Sequence, residues 1–164
     1  MDLKRMVRHL SRSWRSVDRV QPASSLDTVR RAIEQIEATQ EGQVRFAVEH
    51  ALDLPQLLAG ESARARALEL FSQLRVWDTQ HNNGVLIYLL LADKAVDIVA
   101  DRGVGAHVGQ GWGAICRRME ERFSRGEYEV GAIEGARAVG EHLQRHFQTR
   151  GTLSNELPDE PVVL

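Results

Sequence analysis

A mixed β-sheet of about three to four strands with helices on both faces, an α/β (α+β) architecture, is what this sequence predicts. Three observations carry that expectation. Val85 to Leu91 is a continuous apolar run, short and partly β-branched, which reads as a strand buried on both faces. Ala92-Asp93-Lys94 is a tight connection into a second strand, where Val96, Ile98 and Ala100 alternate with Asp97 and Val99. An amphipathic strand lies further upstream, separated from this hairpin by a helical stretch.

The elements follow in order. Residues 1–23 form a basic extension. Leu3, Val7, Leu10 and Trp14 recur at three- and four-residue spacing, with Lys4, Arg5, Arg8, Arg12, Arg15 and Arg19 on the other faces. That pattern predicts an amphipathic helix with a cationic rim. Arg5, Arg8, Arg12 and Arg15 are its candidate contacts with anionic lipid or a protein partner; the competing reading is a helix folded back on the domain. Gln21-Pro22-Ala23-Ser24-Ser25 breaks the helix.

The main domain is expected over 24–148. A helix runs from about Leu26 to Thr39, with Leu26, Val29, Ile33 and Ile36 as its buried stripe. Gln43 to Leu52 reads as the first strand, stopped by Pro55, and a second helix spans about Glu61 to Leu74. A right-handed crossover then sets the first strand parallel to the second. Two helices close the domain, one burying Trp112, Ile115, Met119 and Phe123, the other Ile133, Ala136, Val139, Leu143 and Phe147. Gly131, Gly135 and Gly140 in the last helix point to close packing, since each costs roughly 1 kcal/mol against alanine. Residues 149–164 are polar and proline-containing and are expected to be a flexible tail.

Composition narrows the function classes. The chain has 164 residues, enough for one core without disulfides or metals. A net charge of -2 gives a nucleic-acid role no support, and three scattered tryptophans make no stacking platform. No apolar run approaches the roughly 18 residues of a membrane span. The start lacks an apolar core of the secretory type, so a cytoplasmic location is expected, peripheral to the inner membrane face if the basic helix touches lipid.

One end of the sheet gathers candidate ligands. Asp78, His81, Asn82 and Asn83 precede the second strand; Asp101, Arg102 and His107 follow the third, which is antiparallel to it. Asp78, His81, Asn83 and Asp101 could therefore hold a divalent cation. Their oxygens suit Ca²⁺ or Mg²⁺, and the histidine would admit Zn²⁺. The competing reading is turn chemistry at Asn83-Gly84 and a local cap or ion pair at Asp101. Gly103, Gly105 and Gly109 form a glycine-rich turn whose N–H groups could hold a phosphate. A dinucleotide fold is excluded, because no further parallel strand follows.

Other matches carry less. Cys116 and Arg122 have the spacing of a cysteine-phosphatase loop, but Arg117 to Glu121 is helical in pattern and acidic at its end, so Cys116 reads as a small buried hydrophobe. His142 and His146 lie four apart with no ligand between them. No nucleophile elbow is present.

The stretch NNGVLIYLLLADKAVDIVADRGV resembles the central signature of the TPM-domain family, and the resemblance extends over about 26–147. That family includes thylakoid-lumen phosphatase-like proteins, photosystem II repair proteins, an acetylcholine-receptor modulator and many bacterial proteins. The resemblance implies the mixed-sheet fold, divalent-metal binding at the same loops, and acid-phosphatase activity in some members. The chain is expected to depart from many members, since its sequence reads without an export signal or anchor and has His81-Asn82 where they carry a more acidic loop. Two functions follow. One is a non-enzymatic module binding a protein partner, membrane-associated in some relatives, with a cation at the loops. The alternative is a metal-assisted phosphatase in which Asp78 and Asp101 hold the cation and His81 or His107 moves protons.

Overall fold

The computed structural model describes residues 3–12, 23–108, 111–147 and 154–164. Its elements are α1 (Leu3–Arg12), α2 (Ala23–Glu37), β1 (Gln43–Glu49), α3 (Leu54–Leu58), α4 (Ala63–Gln73), β2 (Gly84–Leu90), β3 (Ala95–Ala100), α5 (Arg102–Val108), α6 (Gly111–Ser124), α7 (Tyr128–His146) and β4 (Val162–Val163). The strands form one mixed sheet in the order β3-β2-β1-β4. β1 is parallel to β2 and to β4, and β2 is antiparallel to β3.

β2 is central, and all seven of its residues are buried, which is why its sequence shows no alternation. Register aligns Phe46 with Ile87, and Ile87 with Ile98, across one face. That face carries Val44, Val48, Val85, Leu89 and Val96 as well, and is covered by α2, α6 and α7. The opposite face presents Ala47, Leu86, Tyr88, Leu90 and Val99 to α3 and α4, with Met6 of α1 at its margin. Each fully buried large side chain contributes roughly 1.5–3 kcal/mol, so both layers are needed to hold the sheet.

Close helix packing explains the glycines of α7. A Cβ at Gly135 would stand 2.2 Å from Met119 Sδ on α6, and one at Gly140 would stand 2.5 Å from Ile36 Cγ2 on α2.

Four features differ from the sequence expectation. The first strand stops at Glu49 rather than Leu52, because Asp53 caps α3. The Asp53 side chain accepts from the Gln56 N–H while Gln56 reaches back to the Asp53 N–H, a closed capping box with Pro55 in the first turn. The glycine-rich turn after β3 is helical, as α5. Residues 154–164, expected as part of a flexible tail, run along β1 and supply β4. Buried Gln43 fastens them: its Oε1 accepts from the Glu156 and Leu157 N–H groups at 2.7 and 2.9 Å, and its Nε2 donates to the Ser154 carbonyl. Finally, α1 folds back on the domain, one of the two expected arrangements, but with Arg5 and Arg8 bound to Asp93 and its apolar stripe outward, leaving Leu3, Val7 and Leu10 exposed. Trp14 and Arg15 lie outside the described residues, as does the side chain of Arg12.

Candidate functional site: the Asn83–Asp101 end of the sheet

The loop entering β2 is shaped by Thr79. Its carbonyl accepts from the Asn82 N–H and its hydroxyl from the Asn83 N–H at 3.1 Å. Asn82 sits at a φ of 51°, a left-handed conformation asparagine tolerates. The loop then lies against the start of α5, where a Cβ at Gly103 would stand 2.5 Å from the Asn82 carbonyl oxygen and 3.0 Å from that of His81. Gly103 thus allows two strand-end loops to meet backbone to backbone.

Antiparallel pairing brings the two key residues to one end. The Asp101 N–H donates to the Gly84 carbonyl at 2.9 Å, next to Asn83. Both side chains are buried, Asn83 fully and Asp101 at 8% exposure. Asn83 Nδ2 donates to the Glu41 carbonyl at 2.6 Å, while its Oδ1 receives no donor among the described residues. Asp101 Oδ1 accepts from the Arg102 N–H at 2.6 Å, while Oδ2 receives none among the described residues. Buried polar oxygens in this condition are uncommon in native folds.

Asp78 and His81 lie on the same loop but are exposed, and no three His, Cys, Asp or Glu side chains converge as metal ligands among the described residues. One amide oxygen and one carboxylate oxygen without donors therefore lie at this end of the sheet, on neighbouring register positions, and no Zn²⁺ cage is built there among the described residues. The His107 side chain lies outside the described residues.

The expected phosphate turn takes another form. Gly103 and Gly105 belong to α5, and the Gly105 N–H donates to the Asp101 carbonyl at 2.8 Å, so it is not open to a phosphate. Gly109 lies outside the described residues. Cys116 sits within α6, and burial pushes its thiol up to about 11, the opposite of a nucleophilic thiolate. His142 packs edge-on against Trp112, with ring centroids 5.6 Å apart.

The other end of the sheet holds a constellation the sequence reading missed. Asp93, in the β2–β3 turn, accepts from Arg5 Nε at 2.9 Å and also from Arg8 of α1. His9, fully buried, accepts the Leu52 N–H on Nδ1 at 3.0 Å and sets Nε2 3.1 Å from Asp93 Oδ1, without hydrogen-bond alignment. Two of the four arginines picked from the sequence thus grip the domain. The available signal was Arg5 and His9 at i and i+4, opposite the apolar stripe.

Among the described residues no helix is long and apolar enough to cross a membrane. The fold is shared with solved proteins. BA42 from the psychrophilic bacterium Bizionia argentinensis superposes with a TM-score of 0.78 at 23% identity, covering 91% of this chain and 99% of its own. An N-terminal domain from P. gingivalis gives 0.60 at 20% identity over 79% of this chain and 82% of its own. The N-terminal domain of cg2496 from Corynebacterium glutamicum gives 0.56 at 11% identity, over 82% and 80%. No curated protein matches the sequence. The TPM-domain family model matches residues 22–142, most of the chain, and the chain belongs to the TPM-domain family.

Proposed function

We propose that this TPM domain is a non-enzymatic module that binds a protein partner, with Ca²⁺ or Mg²⁺ held at the Asn83–Asp101 end of its sheet. The observation supporting the cation is the pair of buried oxygens without donors, Asn83 Oδ1 and Asp101 Oδ2. Leaving such a group unsatisfied costs about 1–3 kcal/mol, more for a charged one, and a hard cation offsets that cost. Asp78 and His81, exposed at the rim, would face the cation's water shell rather than the ion.

The test is a titration of Ca²⁺, Mg²⁺ and Zn²⁺ into ¹⁵N-labelled protein, with p-nitrophenyl phosphate hydrolysis followed in parallel. Saturable shifts confined to 78–84 and 101–105, without phosphate release, support the module. Cation-dependent phosphate release abolished by Asp101→Asn would replace it with the hydrolase reading.

A further inference from the structure

We infer that the outward stripe of α1, together with Leu54 and Leu58 of α3, docks an acidic amphipathic helix of a protein partner. The inference rests on the binding-module reading and names the partner's chemistry. An amphipathic helix packed on a domain ordinarily buries its apolar face. Here α1 is held by polar groups instead, with Arg5, Arg8 and His9 on Asp93 and on the Leu52 N–H. Leu3, Val7 and Leu10 consequently point away, at 63%, 58% and 46% exposure. α3 touches α1, and its Leu54 and Leu58 are exposed at 45% and 60%. Domains do not ordinarily group large apolar side chains at the surface unless something covers them.

The spacing selects the occupant. Leu3, Val7 and Leu10 follow the alternating four-three interval of a coiled-coil seam, and the sequence continues it to Trp14. Such a seam is too narrow for a lipid-facing helix, which needs a broad apolar face, and it has the width one helix covers. Charge selects the partner's flanks. Every ionisable residue of α1 is basic or histidine, and Lys4 and Arg8 fall on the side of the seam away from Met6, which packs against the core. A second copy of this helix would set like charges side by side, whereas glutamates flanking an apolar seam would meet its excess of basic residues.

The experiment uses the full chain and a synthetic helix of about three heptads with leucine at a and d and glutamate at e and g. Saturable binding is expected, with amide shifts over 3–11 and 54–58. The triple variant Leu3→Ser, Val7→Ser, Leu10→Ser should weaken binding roughly tenfold or more. These side chains are exposed, so its melting temperature and the Leu52 amide should stay unchanged. The same peptide with lysine at e and g should not bind. Absence of binding, equal binding of both peptides, or undiminished binding by the triple variant overturns the proposal. So does binding only to anionic phosphatidylglycerol vesicles, or self-association through the stripe in sedimentation. Asp101→Asn should leave peptide binding intact, so failure of the cation site is read separately.

Discussion

The Leu52 backbone N–H donates to Nδ1 of His9 at 3.0 Å, inside a contact where His9 is fully buried. A nitrogen that accepts cannot carry a proton, so this His9–Leu52 contact of α1 requires neutral His9. Burial is the main cause that pushes His9 below its ordinary value of 6.5; Asp93 pulls it back up, and Arg5 and Arg8 push it down. The sign follows from linkage. The docked form binds fewer protons, so docking is at full strength above about 6.5 and weakens as pH falls from there through the lowered docked value. Hydrogen exchange of the α1 amides should therefore quicken below about pH 6.5 while β2 stays protected. His9→Ala should loosen α1 at every pH, at a cost of about 1–3 kcal/mol for the Leu52 N–H left without an acceptor. Unchanged α1 protection between pH 7.5 and 5 would contradict this.

Glu37 titrates in the opposite sense. Its Oε1 accepts the Val44 N–H at 2.7 Å, and burial, aided by nearby Asp159, pushes its carboxyl up to about 8. The folded chain thus holds a proton that the unfolded chain releases near 4.5. Stability from this group is complete below 4.5 and is lost as pH rises through about 8. Glu37→Gln keeps the acceptor for Val44 and removes the charge. Its melting temperature should exceed the parent's at pH 8.5 and converge with it near pH 4.5. A lower value at pH 8.5 would refute the assignment.

Tyr88, Glu49 and Arg66 form a buried polar cluster between β1, β2 and α4. Tyr88 Oη donates to Glu49 Oε2 at 2.5 Å, and Arg66 binds the same carboxylate through Nε and Nη2 at 2.9 Å. Burial and this bond hold the Tyr88 phenol protonated. Removing Arg66 strands a buried carboxylate, so Arg66→Ala should cost about 3–5 kcal/mol in chemical denaturation. Tyr88→Phe should cost about 1–3 kcal/mol. Equal, small losses from both would show that the carboxylate is solvated.

Gly103 and Gly105 differ only in what lies beside them. A Cβ at Gly103 meets the Asn82 carbonyl at 2.5 Å, whereas nothing lies within 4 Å of one at Gly105. Gly103→Ala should push the loop off α5, cost about 1–3 kcal/mol and abolish cation-dependent amide shifts. Gly105→Ala, in a helix, should stabilise by roughly 0.5–1 kcal/mol and leave those shifts intact.

Much of this fold was legible because periodicity reports burial directly. The all-apolar β2, the hairpin and the stripes of α2, α6 and α7 lie where their patterns placed them. Features set by single side chains acting over long range were hidden. β4 depends on Gln43 capturing the backbone of 156–157, more than a hundred residues away, and a two-residue strand has no period. α5 was masked by its own glycines. α3 does leave a signal, Asp53 with Gln56 three residues on and Pro55 between, in which Pro55 marks a helix start as well as a strand stop. At the loop end, the antiparallel hairpin sets Asn83 and Asp101 at the same end of the sheet, as the sequence implies. Which of the nearby polar residues would be buried was not legible, and Asp78 and His81 are exposed. α1 was recognised as an amphipathic helix, but leucine spacing could not reveal that Asp93 would draw its polar face inward.

The central claim, a cation held by Asp101 Oδ2 and Asn83 Oδ1, is tested most directly by calorimetric titration of Ca²⁺ and Mg²⁺ into the parent chain and into Asp101→Asn. The variant keeps the acceptor for the Arg102 N–H and removes the charge that a cation requires. A saturable one-site isotherm in the parent, absent in Asp101→Asn at equal fold stability, is the predicted result. A flat isotherm in the parent at millimolar cation, or an unchanged isotherm in the variant, would contradict it.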